Sequence, residues 1–200
     1  TVADDTTYDL IGVYAQDEAA LGDRFDLTAG VRFNRIQVNA NQVDFDDSDG
    51  LALDGIDETW NAVVGTLRGV YHADDRWNVI AGIGQGFRAP SVDDLTSIGF
   101  ALAGTLDIPN ADLDPERTTT ADLGTRVRYD RWEAECFGFY TDMNSVMQRV
   151  PVANPFFPAI GGATANQRRN FGDGAVYGAE AGTRWSASEE VTVFGGASWV

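Results

Sequence analysis

From Phe25 to Asn34 apolar and polar side chains alternate without a slip. Phe25, Leu27, Ala29, Val31 and Phe33 fall on one side of an extended chain, and Asp26, Thr28, Gly30, Arg32 and Asn34 on the other. The same period returns further on, where Ala121, Leu123, Val127 and Tyr129 oppose Asp122, Gly124, Arg126, Arg128 and Asp130. Segments of this kind, bounded by Gly, Asp and Asn, predict about eight strands: 8–20, 24–38, 59–72, 76–87, 118–129, 132–146, 175–186 and 191–200. Helical periodicity is scarce, so the fold class is all-β.

The connections between these strands alternate in length. Leu21 to Arg24, Ala73 to Asp75, Asp130-Arg131 and Ala187 to Glu190 are tight hairpin turns, whereas Asn39 to Glu58, Arg88 to Arg117 and Met147 to Gly174 are predicted as long loops. Strict short-long alternation is the topology of an antiparallel up-and-down transmembrane β-barrel with short turns on one side of the membrane and long loops on the other. A compact soluble domain seldom needs three such loops. Two other arrangements accommodate the strands: a complete, small eight-stranded structural barrel, and a soluble β-sandwich binding module in which core replaces lipid.

Composition changes this picture in a few respects. No run approaches the ~18 apolar residues of a membrane helix, but barrel strands need only ~10 residues that are apolar at every second position. Tyr71, Trp77, Tyr129, Trp132, Tyr140, Trp185 and Trp199 cluster near strand ends, where a membrane interface suits them. Lys and Arg number 14 against 31 Asp and Glu, for a net charge of -17, which repels nucleic acid. The single cysteine, Cys136, excludes an internal disulfide framework and reads as a small apolar strand residue.

Three segments carry recognisable motifs: Gln85-Gly-Phe-Arg-Ala-Pro-Ser-Val-Asp-Asp-Leu95, then Ile108-Pro-Asn-Ala-Asp-Leu-Asp-Pro-Glu-Arg-Thr118, then Asn170-Phe-Gly-Asp-Gly-Ala-Val-Tyr-Gly-Ala-Glu180. They resemble the G-F-R-A-P-S-x-x-E/D-L, N-P-x-L-x-P-E and N-x-G-x-A-x-x-x-G-x-E boxes of TonB-dependent outer-membrane receptors, in that family's order. Ala111 stands where the second box has proline. Gly12 to Glu18 is similar to the family's Y-A-Q-D strand, so the resemblance covers essentially the whole chain. The residues that carry it are Phe87, Arg88, Ala89, Pro90, Asn110, Leu113, Pro115, Glu116, Asn170, Gly172, Gly178 and Glu180.

The resemblance implies a location in the outer membrane of a Gram-negative cell. It also implies that residues 1–200 are about eight strands of a larger barrel of about 22, with the plug domain and the barrel C-terminus lying outside this stretch. Val200 falls inside a β-like run, in keeping with a chain that continues on both sides. The implied activity is TonB-energised uptake of a scarce nutrient, a ferric siderophore first, with haem, cobalamin or oligosaccharide as alternatives. The implied partners are that ligand, the protein's own plug, the TonB-ExbB-ExbD complex through a segment outside the chain, and outer-membrane lipid. Haem importers of the family carry an iron-ligating histidine between the first two boxes, and Phe87 to Asn110 contains none.

Catalytic chemistry finds no support. His72 is the only histidine and flanks a predicted short turn, so no nucleophile-base pair is evident. No enzyme activity and no cofactor are expected. The acidic segment Asp44 to Gly55 fails as a calcium loop of the EF-hand type, because Asp49 stands where glycine is required and Gly55 where the closing glutamate belongs. Arg88, Arg117, Arg149, Arg168 and Arg169 are predicted to flank the long loops. There they could grip an anionic ligand bidentately, or pair with loop acids or lipid-A phosphates. Pro90 and Pro115 are expected to end and restart ladder pairing. Gly82, Gly84 and Gly86 share one face of a strand and would let a plug approach the wall closely.

Overall fold

A computed structural model describes residues 4–44, 52–53, 55–100, 105–158 and 161–200. Its elements are β1 (Asp4–Ala20), β2 (Phe25–Asp44), β3 (Ala52–Leu53), β4 (Ile56–His72), β5 (Trp77–Arg88), α1 (Val92–Thr96), β6 (Gly99–Phe100), β7 (Leu106–Ile108), β8 (Glu116–Arg128), β9 (Trp132–Ala153), β10 (Thr164–Ser186) and β11 (Thr192–Trp199). The long strands follow one another in chain order, β1-β2-β4-β5-β8-β9-β10-β11, each antiparallel to the last. All four expected hairpin turns are present at the expected places. Among the described residues β1 and β11 do not pair with each other, so the eight long strands do not close a small barrel.

The register slides steadily relative to the turns. Asp26, one residue into β2, connects through Val70, Ile80, Gly124 and Phe137 to Glu180, which stands six residues before the end of β10. A shear of about five residues over five strand spacings, at ~3.3 Å and ~4.8 Å each, inclines the strands by roughly 35°, as barrel closure requires.

Register also assigns the faces. Phe33 pairs with Val63, Ala29 with Leu67, Ile83 with Ala121 and Tyr140 with Tyr177, and this side is largely apolar and exposed, with Asp17 beside Ala29 a charged exception on β1. Buried against nothing in the chain, it suits hydrocarbon. Phe25, Tyr71, Trp77, Trp132 and Trp185 border it at the short-turn end, and Phe33, Tyr140 and Tyr177 toward the other. The opposite, inner face carries Arg68, Asp122, Arg126 and Glu135.

High on the inner face the polarity inverts. Ile36, Val38 and Ala40 continue the side of Arg32 and Asn34, yet they are buried with Ile56 and Met147 beneath Ala89, Leu95, Ile98 and Leu113. The segment between β5 and β8 therefore folds over the inner face at the long-loop end. It then reaches the far side, where β7 adds in parallel to β10 at Ala165 to Gln167. The β4–β5 ladder stops at Thr66 and Gly84, while β2–β4 and β5–β8 continue to Ile56 and Arg88. Trp60, Phe87 and Val92 pack against the cluster, so the segment is wedged into this parting of the sheet.

Two expected loops are mostly strand. The 39–58 stretch is largely taken up by β2, β3 and β4, and 147–174 by the ends of β9 and β10 around a shorter connection. Beyond the apolar band both faces of a strand can be polar, as at Gln148-Arg149 and Arg168-Arg169-Asn170. Backbone pairing then persists with no alternation to reveal it.

Candidate functional site

The mouth is organised around one buried carboxylate. Pro90 is buried where β5 ends, and Ser91 caps α1: its Oγ accepts from the Asp94 amide (3.2 Å), while its amide and Oγ donate to Asp94 Oδ2 at 3.0 and 2.9 Å. Arg88 donates to the same oxygen at 2.8 Å, and Arg168 Nε lies 3.1 Å from Oδ1. Asp94 is 3% exposed, so its burial is supportable only because both oxygens meet a guanidinium.

The network then spreads through all three sequence boxes. Arg88 also donates to Glu116 (3.0 Å), whose other oxygen accepts the Met147 amide at 2.7 Å. Burial opposes the Arg88 charge, but the bond to Glu116 and the charge of Asp94 outweigh it, and the guanidinium pKa is raised. Asn110 donates to the Arg168 carbonyl (2.8 Å) and accepts from the Asp112 amide (3.1 Å). Asn170 accepts from the Asp114 amide (2.8 Å) and donates to the carbonyls of Asp114 (2.8 Å) and Ser145 (2.7 Å). Leu113 sits in the apolar cluster. Boxes far apart in sequence thus meet as one latch that fixes residues 89–100 and 105–115 to β8, β9 and β10.

The five arginines part company. Arg88 and Arg168 belong to the latch, with Arg168 also 3.2 Å from Asp93, and Arg149 pairs with Asp107 of β7. Arg169 is exposed and donates to Gln167 (2.8 Å). Arg117 takes the alternation of Ala121 and Leu123 and so lies on the outward face, with its guanidinium 5.5 Å from the Phe87 ring centroid.

The remaining box residues have structural surroundings. Gly172 has φ +152 at the irregularity between β9 and β10. A side chain at Gly178 would collide with the Trp199 carbonyl and the Phe139 ring. Glu180 lies on the inner face opposite Phe137 and Ser198. Of the three aligned glycines, Gly82 leaves room for Asp122, whose carboxylate meets Arg68 at 3.4 Å across β5, and Gly86 leaves room for Thr118. Gly84 alone stays open, with Thr66 Oγ1 3.7 Å from where its Cβ would be.

Two sets of functional residues emerge only from the structure. Asp94 lay inside the first box, and its spacing from Ser91 was a capping signal. The ion pairs Arg126–Glu135 (2.8 Å) and Arg128–Glu133 (3.0 Å) follow from extending the register of the tight 129–131 turn. His72 bonds Asp26 (2.8 Å) and Asn78 (2.6 Å), tying β2, β4 and β5 at the short-turn rim. Among the described residues no group of His, Cys, Asp and Glu is placed to hold a metal. The acidic 44–55 segment lies largely outside the described residues.

Comparison with known proteins adds to this geometry. The family model described as TonB dependent receptor-like, beta-barrel matches residues 1–200. The iron-regulated outer membrane virulence protein of Vibrio cholerae serotype O1 is 28% identical over 185 residues, covering 89% of this chain and 25% of that protein. Among solved structures, copper transporter OprC matches at TM-score 0.74 with 19% identity, covering 98% of this chain and 29% of its own. The Serratia marcescens hemophore receptor HasR, in complex with its hemophore HasA and heme, matches at 0.75 with 17% identity, covering 90% and 32%. The ferric-catecholate import receptor Fiu from K12 E. coli matches at 0.67 with 16% identity, covering 96% and 27%. The chain spans about a quarter to a third of the length of these relatives.

Proposed function

The chain belongs to the family of TonB-dependent receptor β-barrels of the Gram-negative outer membrane, and from that premise we propose that it forms the wall and part of the mouth of an energised importer of ferric siderophores. In this reading the eight long strands are part of a barrel of about 22, whose lumen is filled by the protein's own plug and whose energy arrives through TonB-ExbB-ExbD. The observation that carries it is the latched segment 89–115. The three family motifs, far apart in sequence, meet there as one network that holds residues 89–100 and 105–115 against the inner wall at the outer end.

Iron as cargo draws support from the iron-regulated Vibrio relative and from the ferric-catecholate receptor that shares the fold. Ferric siderophores often carry negative charge, and Arg169, exposed on the long-loop end of β10, is a candidate to meet them. The open inner position at Gly84 leaves space for a plug surface to approach.

Uptake of radiolabelled ferric catecholate and ferric hydroxamate complexes by cells with and without the full-length protein tests this, with haemin and cobalamin as parallel probes. Protein-dependent iron-siderophore uptake that stops when the inner-membrane complex is inactivated is the expected result. Uptake independent of that complex, or confined to haemin or cobalamin, would overturn it.

A further inference from the structure

The parting of β4 from β5 lies between strand segments that are still in register with each other. Thr66 pairs with Gly84, and the same register carried on would set Gly65 against Gln85, Val64 against Gly86, Val63 against Phe87 and Ala62 against Arg88. Main-chain groups point to alternate neighbours along an antiparallel strand. The phase is fixed by the Ala73 amide donating to the Trp77 carbonyl (2.9 Å) on one side of β5 and the Arg128 amide donating to the Arg76 carbonyl (3.0 Å) on the other. Odd-numbered residues of β4 and β5 therefore turn their N–H and C=O toward each other. Yet the Gly65 amide donates to Gln85 Oε1 (3.2 Å) instead of to the main chain of Gln85, and Val63 and Phe87 have no main-chain partner across the parting among the described residues.

The side-chain bridge has a physical reason. Gly65 pairs with Val31 of the apolar band, and Gln85 turns outward with Ile83, so the carboxamide satisfies an N–H at a depth where water is scarce. Above the bridge, Trp60, Phe87 and Val92 pack against the buried cluster, and Arg88 reaches inward to Asp94. These contacts draw the end of β5 off the wall, while β4 stays in it, paired with β2 as far as Ile56. Side chains of the latched segment thus fill a space that a ladder would otherwise close.

We propose that the β4–β5 seam is a two-state zipper governed by the mouth latch. With Asp94 seated between its arginines the seam stands parted around Trp60, Phe87 and Val92. With Asp94 released, β5 closes onto β4, Gly65 pairing with Gln85 and Val63 with Phe87, each pair exchanging two main-chain bonds. Closure trades the Arg88–Asp94 ion pair, the Gln85 bridge and the apolar contacts of Phe87 for four main-chain bonds. Opposing sets of contacts on one element make it bistable rather than continuously deformable. The consequence is that residues 89–98 can leave the inner face without opening a slit from the lumen to the membrane, because the ladder closes the space that they vacate.

Hydrogen exchange of the full-length protein in lipid nanodiscs, read at single amides, tests this with two variants. Asp94→Ala removes the carboxylate, and Asp94→Asn removes its charge while keeping an acceptor for the Ser91 amide. With Asp94 intact, the amides of Val63 and Phe87 should exchange at least about tenfold faster than those of Leu67 and Ile83 in the formed ladder. In the folded variants Val63 and Phe87 should slow by at least about tenfold while residues 92–96 exchange faster. A latch with only local effect would speed the exchange of Val63 and Phe87 or leave it unchanged. Either of those results in a folded variant, or protection of both amides with Asp94 intact, would overturn the proposal.

Discussion

At the scale of single residues, the mouth depends on Asp94. Removing one partner of a buried pair commonly costs about 3–5 kcal/mol. Here the arginines are half exposed and can recover solvent, so about 2–3 kcal/mol is expected for Asp94→Ala, felt locally. Hydrogen exchange over residues 89–100 of the full-length protein should accelerate by at least about tenfold, with β8 and β9 unchanged; unchanged exchange at 89–100 would deny the latch. Asp74 gives a second prediction. Its Oδ1 accepts from the amides of Arg76 (2.8 Å) and Trp77 (2.9 Å) in the β4–β5 turn, which holds the carboxyl pKa below the usual value. A depressed carboxylate contributes stability above its unfolded pKa and loses it as pH falls through the folded one. Amide exchange at Arg76 and Trp77 should therefore rise only below the ordinary carboxylate range. Asp74→Asn, whose Oδ1 still accepts, should remove that pH dependence.

At the scale of elements, β10 shows where pattern and fold diverge. Its lower half alternates and was readable from Ala175 to Ser186. Its upper half, from Thr164, pairs through an irregular register around Gly172 and has no apolar face to show. With φ at +152, Gly172 occupies a conformation that disfavours any side chain, so Gly172→Ala should cost about 1–3 kcal/mol. Denaturant unfolding in detergent, followed by heat-modifiable migration, measures this; wild-type stability would show that the irregularity relaxes freely. The four hairpin turns and the faces of β2 and β8 were legible because a membrane wall needs period two on one side and tight turns at one rim. The latch was legible only as resemblance. Its bonds join residues such as Asn110 and Arg168, or Asn170 and Asp114, whose proximity depends on residues 105–115 lying against β10, and local spacing does not encode that. Likewise Arg117 looked ligand-facing from its place beside a loop, until register put it outward.

At the scale of the whole molecule, a chain with net charge -17 manages two solvents by sorting its side chains. Inner-face Arg126 and Arg128 are paired with carboxylates of the neighbouring strand and Arg68 with Asp122 across β5, and the outer face is left largely apolar between aromatic borders. Shear, tilt and the inward segment follow from the same assignment of faces, so that assignment is the claim on which the rest stands. Nitroxide labels placed singly at residues 25–34 of the full-length protein in lipid bilayers test it most directly, through collision rates with oxygen and with a water-soluble nickel chelate. Oxygen accessibility should be high at 25, 27, 29, 31 and 33 and low at the positions between. A profile without period two, or one with the even positions facing lipid, would contradict it.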